Sequence, residues 1–338
     1  TGQYNTLIGG QAGDAITGVS NITAVGYAAL SANTSGTNGV AVGKDALQAN
    51  TEGHNNTAVG LEALQTNTTG DANTAVGTGS LASATTADNN TAVGRSALTA
   101  NTTGASNVSV GTGALTANTT AANNTAVGTS ALAANTTGAS NVSVGTSALA
   151  ANTTAANNTA VGYTALTTNT TGAQNVAIGR DALLGNTTGA DNTAVGVGSL
   201  GANTTASNNT AVGRLALAAN TTGTDNTAVG RSSGAAITTG IQNTLIGGLA
   251  GDALTDADEN VAVGQSALTT DTKGSRNVAV GQIALATQNF TTSTDSYNTG
   301  VGYAAGSAVT TGIQNTLIGA LAGDALSDAD YNVAVGSQ

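Results

Sequence analysis

The chain has 338 residues, of which only 2% are aromatic, and it contains no Pro, Cys, Met or Trp. An ordinary globular core of this size uses aromatic and sulfur-containing side chains to fill irregular space, so this composition excludes such a core and favours a thin, regular one. Seven Lys and Arg residues in a chain of formal net charge -11 offer no phosphate-binding patch, and the absence of Cys excludes disulfides and thiolate metal sites.

A Val or Ile followed by Gly recurs every 17 residues from Gly9 to Gly281, and three further copies end at Gly302, Gly319 and Gly336. The 20 copies share the form N-T-A-V-G-x-x-A-L-x-x-N-T-T-G-x-x, whose positions are numbered 1 to 17 below. Asn occupies position 1 in 18 copies, position 2 is always Thr or Val, and position 5 is always Gly. Such strict periodicity predicts a repetitive solenoid.

Two short strands are predicted in each repeat. The β-branched residues at positions 2 and 4 predict the first strand, which ends in a tight turn at the glycine of position 5. The segment x-A-L-x predicts the second strand, and N-T-T-G closes the coil. The sequence therefore predicts an all-β parallel β-solenoid of about 20 coils. It forms one domain over 1–338, with regular coils over 1–285, a four-residue loop insertion near 286–297 and variant coils over 298–338.

The predicted core follows from the alternation of side chains along a strand. Positions 2 and 4 are expected to point inward, and the Leu at position 9 is expected to meet them from the second strand. The core then includes Val59, Leu64, Val76, Leu81, Val93 and Leu98. Position 3, which is mostly Ala, is expected to point outward. Because a core of this kind is thin, we expect the outward Ala face to pack against copies of the chain in a homotrimeric rod or a filament.

A minority of repeats carry Gly at position 9 and an apolar residue at position 12, and a different cross-section is expected for them. They are Gly13 with Ile16, Gly234 with Ile237, Gly251 with Leu254, Gly306 with Val309, and Gly323 with Leu326.

The Asn at position 1 is a candidate for a hydrogen-bonded ladder, since identical side chains stack about 4.8 Å apart along such a coil. The alternative is that Asn only tolerates a left-handed turn conformation there. The candidate ladder residues are Asn56, Asn73, Asn90, Asn107 and Asn124.

The segments Asn56 to Leu64 and Asn175 to Leu183 resemble the head repeats of YadA-like trimeric autotransporter adhesins. The N-T-A-V-G…N-T-T-G form is also similar to repeats of phage-type tail fibre proteins. The resemblance to the adhesins implies a left-handed parallel β-roll with three chains to a rod, located outside the cell and binding surfaces.

Few residues suggest chemistry. The only His, His54, lies in a predicted turn beside Glu52 and is interpreted as a solvated loop residue; no catalytic or cofactor-binding motif is present, so we expect no enzyme and no cofactor. An acidic segment that occurs twice could offer oxygen ligands to Ca²⁺, although solvated turns explain it as well. Its residues are Asp252, Asp256, Asp258 and Glu259, and then Asp324, Asp328 and Asp330.

Two kinds of surface feature remain. Nine Asn-Thr-Thr triplets are glycosylation sequons, including those at Asn67, Asn101, Asn118 and Asn135, and Asn-Asn-Thr junctions such as the one at Asn55 add more. The only Phe, Phe290, lies in the insertion and is a candidate loop contact, although the insertion could equally be a tolerated bulge.

These features favour the structural rod of an extracellular fibre, either an adhesin or a phage-type tail fibre, that mediates surface attachment or spacing through a cell-surface or glycan receptor. Because the chain begins at Thr1 without Met, it is expected to be part of a longer fibre. One alternative is a self-assembling extracellular filament subunit. Another is an ice- or glycan-binding solenoid with an Asn ladder face or a Thr face such as Thr68-Thr69. No nucleic-acid partner or membrane insertion is expected.

Overall fold

A computed structural model describes residues 2–337 and confirms an all-β parallel β-solenoid with coils 17 residues apart. The chain divides into two compact units, Thr1–Thr171 and Gly172–Gln338, and each is described by itself. The division falls inside a repeat, between positions 14 and 15, so the same 17-residue pattern fills both units.

The first unit contains ten parallel strands of three residues, each paired with the next along the chain. They are β1 (Thr6–Ile8), β2 (Thr23–Val25), β3 (Val40–Val42), β4 (Thr57–Val59), β5 (Thr74–Val76), β6 (Thr91–Val93), β7 (Val108–Val110), β8 (Thr125–Val127), β9 (Val142–Val144) and β10 (Thr159–Val161).

The second unit repeats this arrangement and adds one short pair of strands. Its strands are β11 (Val176–Ile178), β12 (Thr193–Val195), β13 (Thr210–Val212), β14 (Thr227–Val229), β15 (Thr244–Ile246), β16 (Val261–Val263), β17 (Gly274–Ser275), β18 (Val278–Val280), β19 (Thr294–Asp295), β20 (Thr299–Val301), β21 (Thr316–Ile318) and β22 (Val333–Val335).

The register places like residues over like residues. Thr57 pairs with Thr74, and Ala58 pairs with Ala75, and the same offset of 17 holds at the other regular pairs. Each repeat position therefore forms a column whose members lie about 4.8 Å apart. Columns of identical side chains are the main structural consequence of the repeat.

The prediction of two strands per coil is wrong, because the regular coils contain one strand. Positions 7 and 9 adopt left-handed backbone angles, with φ of 56° at Glu62 and 51° at Leu64, so this segment is a turn. It is still bonded from coil to coil, since the Leu64 N–H donates to the Ser80 carbonyl oxygen at 2.9 Å. A left-handed Leu costs on the order of 1 kcal/mol, which the burial of its side chain offsets.

The inward and outward faces of the strand are the reverse of those predicted. Ala58 at position 3 is fully buried, whereas Val59 at position 4 is 37% exposed, and Val76 and Val93 are each 36% exposed. The predicted core residues of position 9, which are Leu64, Leu81 and Leu98, are fully buried as expected. The Ala and Leu side chains of positions 3, 8 and 9 fill the narrow interior, which leaves room for only a methyl group at position 3.

The variant coils keep the same backbone path, so the expected change of cross-section is wrong for the backbone. The Gly234 N–H donates to the Ala250 oxygen at 2.9 Å, just as the Leu217 N–H donates to the Ser233 oxygen at 3.0 Å. What changes is the interior side chain. A Leu at position 3, such as Leu245, occupies the vacated space, and a Cβ added at Gly234 would lie 2.7 Å from it.

The Gly of position 5 is required because neighbouring backbones approach closely. Gly94 has φ of 132°, and a Cβ there would lie 2.6 Å from the Gly111 carbonyl oxygen. Each Gly of this column therefore allows the next coil to stack directly on it.

The insertion lies where the sequence predicts it. It extends the coil that begins at Asn277, and its residues Thr294–Asp295 pair in parallel with Gly274–Ser275 of the coil before. The added residues thus form a short strand pair beside the main sheet.

Candidate interaction surface

Each unit has a flat exposed face formed by positions 2 and 4 of its three-residue strands. Thr or Val at position 2 and Val or Ile at position 4 form two parallel columns of β-branched side chains. Several are more than one-third exposed, including Val59, Val108, Val142, Ile178 and Ile246. We call this surface the strand face.

The strand face carries no charged residue at positions 2 and 4 in any coil. Within residues 2–337, no hydrogen-bond partner is observed for the hydroxyl groups of Thr57, Thr74 and Thr91, which lie half-buried beside the exposed Val column. A surface of this kind, flat and largely apolar, is suited to close packing against another flat surface.

The Asn ladder of position 1 is confirmed. The Asn73 N–H donates to the Asn56 Oδ1 at 2.9 Å, and the Asn73 Nδ2 donates to the Ala87 carbonyl oxygen at 2.7 Å. The ladder continues through Asn90, Asn107 and Asn124. All five side chains are buried, and the left-handed residue of the turn is position 17 instead, as at Ala72 with φ of 56°. The ladder therefore stabilises the interior and is not a surface.

A second ladder, which the sequence analysis missed, lies at position 12. The Asn118 Nδ2 donates to the Asn101 Oδ1 at 2.9 Å and to the Ala121 carbonyl oxygen at 3.0 Å. The Asn135 Nδ2 donates to the Asn118 Oδ1 at 3.0 Å. The signal was present in the sequence as a second recurring Asn, but the Asn-Thr-Thr triplet was interpreted as a surface turn.

The second ladder corrects the glycosylation prediction. Asn67, Asn101, Asn118 and Asn135 are fully buried, and their Nδ2 atoms donate hydrogen bonds inside the coil. A buried and hydrogen-bonded amide is not accessible to a glycosyltransferase in the folded chain. The Asn-Asn-Thr sequons differ, because Asn55 at position 17 is exposed.

The Thr pair of positions 13 and 14 does not form two free columns. The Thr68 Oγ1 donates to the Thr85 carbonyl oxygen at 3.0 Å, and the Thr102 Oγ1 donates to the Thr119 oxygen at 3.1 Å. The position-13 hydroxyls thus bond the next coil, while Thr69 at position 14 is exposed.

Phe290 is wrong as a surface contact, since only 7% of it is exposed. Its N–H donates to the Asp271 Oδ1 at 3.0 Å, and its ring would lie 2.9 Å from a Cβ at Gly274. Asp271 is itself buried, and its Oδ2 accepts a hydrogen bond from Gln288 at 2.6 Å. The insertion therefore folds its aromatic side chain inward to cover a buried carboxylate.

The first acidic segment is held by local partners. Partial burial would raise the pKa of Asp256, but the hydrogen bond from Thr255 and the ion pair with Lys273 at 3.3 Å outweigh it and lower that pKa below its usual value. The Asp258 Oδ1 accepts the Ile241 N–H at 2.8 Å. The Asp252 Oδ1 accepts the Thr269 hydroxyl at 2.5 Å.

The second acidic segment follows the same pattern. The Asp330 Oδ1 accepts the Ile313 N–H at 2.8 Å, and Asp328 accepts the Ser327 hydroxyl at 3.0 Å. The Asp324 N–H donates to the Leu321 oxygen at 3.2 Å. Among residues 2–337, no group of three or more His, Cys, Asp or Glu side chains is placed to hold a metal ion.

Glu259 belongs to an exposed cluster around Arg276. The Arg276 guanidinium forms ion pairs with Glu259 and Asp295 and lies 5.7 Å from the centre of the Tyr297 ring. The hydrogen bond to Glu259 is the main cause that raises the pKa of Arg276, and Tyr297 and Asp295 add to it. This cluster connects the insertion to the coils before it.

His54 is part of a coil-to-coil column and not of a catalytic group. Its Nδ1 lies 3.0 Å from the Thr37 nitrogen and from the Thr37 hydroxyl, and its own N–H donates to the Asp71 Oδ1 at 2.6 Å. The same bond recurs when the Asp71 N–H donates to Asp88 at 2.7 Å. Polar side chains at position 16 thus accept the backbone N–H of the preceding coil.

No protein-family model matches the chain, and no curated protein was found to be significantly similar to it. In the part of the chain that the structure describes, no helix is long and apolar enough to cross a membrane.

Proposed function

We propose that this chain is a structural segment of an extracellular fibre, of the adhesin or phage-type tail fibre kind, in which copies of the chain associate through the strand face. The observation that supports this proposal is the division of apolar residues in each coil. Leu64 and Ala58 complete the interior within one chain, whereas Val59 remains exposed on a flat column. The predicted outward Ala face no longer supports association, because those residues are buried.

The size of the strand face is consistent with this role. A three-residue strand is about 10 Å wide, and ten coils are about 48 Å high, so the strand face of one unit covers about 480 Å². Monomeric proteins rarely leave more than a few hundred Å² of contiguous apolar surface exposed. Counting both partners gives about 1,000 Å² for each unit, which reaches the lower limit for a specific interface.

The test is to place charges on the strand face and to measure the particle mass by sedimentation velocity. The triple variant Val59→Lys, Val76→Lys, Val93→Lys puts three cations on neighbouring coils of the strand face, and we expect it to dissociate. The matched control is Thr69→Lys, Thr86→Lys, Thr103→Lys, which adds the same charge at exposed position-14 sites. If both variants keep the mass of the unmodified chain, the strand face is not the interface.

The filament subunit remains within this proposal, because polymers that dissolve on Lys substitution of the strand face would use the same interface. Particles that grow with concentration beyond a fixed small number of chains would favour the filament over the trimer.

A second candidate is an ice- or glycan-binding solenoid, and one observation favours a new location for it. Thr57, Thr74 and Thr91 form a regular column on a flat sheet, which the position-13 and position-14 residues do not. Thermal hysteresis by a monomeric chain, abolished by Thr74→Lys, would support this candidate, and its absence would remove the ice-binding form.

A further inference from the structure

Charged residues lie along the two edges of the strand face. Position 6 follows the Gly turn at one edge, and position 17 precedes the strand at the other edge. Five of the seven Lys and Arg residues occupy position 6, whereas the acidic residues at position 17 are confined to the second unit. The position-6 cations are Lys44, Arg95, Arg180, Arg214 and Arg231, and the position-17 acids are Asp191, Asp225 and Glu259.

In the second unit, cation and acid occur in the same coil. Arg180 and Asp191 belong to the coil that begins at Asn175, and Arg214 and Asp225 belong to a coil two repeats later. The members of each pair lie on opposite edges of one strand, and they are all exposed. They therefore point away from the interior, at the two margins of the strand face.

Intrachain contacts do not explain these charges. Within residues 2–337, no ion pair includes Arg214, Arg231, Asp191 or Asp225, and Arg180 contacts only its neighbour Asp181. Arg214 and Arg231 follow each other in one column, about 4.8 Å apart, so their mutual repulsion is unfavourable unless an anion lies nearby.

We propose that Arg180 and Arg214 form ion pairs with Asp191 and Asp225 of a neighbouring copy, and that these pairs fix a parallel arrangement in coil-to-coil register. This inference rests on the proposed self-association. Rotation about an axis parallel to the stacking direction turns the strands of the partner's strand face antiparallel to those of the first copy. The position-6 edge of one copy then meets the position-17 edge of the next at the same coil.

The charge pattern distinguishes this arrangement from the opposite one. A twofold axis parallel to the strands would run the two solenoids in opposite directions and would bring position 6 of one copy to position 6 of the other. Arg214 and Arg231 would then approach other position-6 residues and find no carboxylate. Like charges juxtaposed across an interface are costly, so the observed pattern favours the parallel arrangement and helps to exclude shifted registers.

The experiment is a charge swap, measured as the concentration at which the assembly dissociates. Arg214→Asp and Asp225→Arg each place like charges at the proposed contact, and we expect each to raise that concentration at least about tenfold. The double variant restores an opposite pair with reversed sign and should return to within about threefold of the unmodified chain. The loss in the single variants should shrink in 1 M salt, where the screening length is about 3 Å. Thr222→Asp in the same coil adds the same charge at position 14 and should have little effect.

Each outcome has a distinct meaning. Single effects that add in the double variant overturn the pairing but leave self-association intact. Tighter association of Arg214→Asp overturns the parallel arrangement, because it would relieve contact between position-6 cations. A monomeric unmodified chain overturns the proposed function and the pairing together.

Discussion

The second Asn ladder is interrupted in the first unit, and the interruption gives a sharp prediction. Ala84 occupies position 12 between Asn67 and Asn101, and the Asn67 Oδ1 is a buried acceptor without a hydrogen-bond partner. The variant Ala84→Asn should supply the missing donor. Its own Oδ1 would accept the Asn101 Nδ2, which would join the two parts of the ladder.

The site has room for the new side chain. Position 15 of this coil is Ala87, and the ladder already tolerates Ala there, since the Asn118 Nδ2 donates to the Ala121 oxygen at 3.0 Å. Satisfying a buried acceptor recovers about 1–3 kcal/mol, and a further hydrogen bond contributes about 1 kcal/mol. After the loss of side-chain freedom, we expect a net stabilisation of about 1–3 kcal/mol.

Native-state hydrogen exchange is the suitable assay, because long repeat arrays do not always unfold in one step. Amides around coils 67–101 should exchange about 10-fold to 100-fold more slowly in Ala84→Asn than in the unmodified chain, since about 1.4 kcal/mol corresponds to a factor of ten. Ala84→Val adds volume without a donor and should give no protection. Equal protection in both variants would show that filling space, and not the ladder, is responsible.

Three further predictions concern stability. Gly247→Ala should destabilise the second unit by at least about 2 kcal/mol, because a Cβ there would lie 2.4 Å from the backbone oxygen of the next coil, whereas Gly248→Ala, with open space around it, should be nearly neutral in chemical denaturation. Leu149→Ala should cost about 2–5 kcal/mol in the same assay, since this side chain is fully buried, and a cost below about 1 kcal/mol would contradict a close-packed interior. Because the pKa of Asp256 is lowered in the fold, its stabilising effect should be present at neutral pH and lost as the pH falls through that lowered pKa; in Lys273→Met this loss should be smaller, and an unchanged pH profile would contradict it.

Much of the fold could be predicted because the repeat fixes it. The period of 17 gives the register, and the register puts Asn56 over Asn73, which is why the position-1 ladder was predictable. The direction of the strand was not predictable in the same way. Alternation assigns positions 2 and 4 to one face and position 3 to the other, but it does not say which face is inside.

Side-chain size suggested that Val59 was buried, and this inference was wrong for a physical reason. A coil with one strand has an interior so narrow that Leu64 nearly fills it, and only Ala58 fits opposite. The number of strands was missed because Leu64 adopts a left-handed φ, which sequence propensity does not predict. The candidate surface therefore moved from the Ala column to the Val column, while the prediction that chains associate stays a prediction.

The most direct test of association through the strand face is the native mass of the unmodified chain in solution, measured by light scattering with electron microscopy of the same sample. We predict a particle of several chains, and a trimer would have three times the 32.0 kDa mass of one chain. A particle of one chain at micromolar concentration, with the Val column open to solvent, would contradict the proposal.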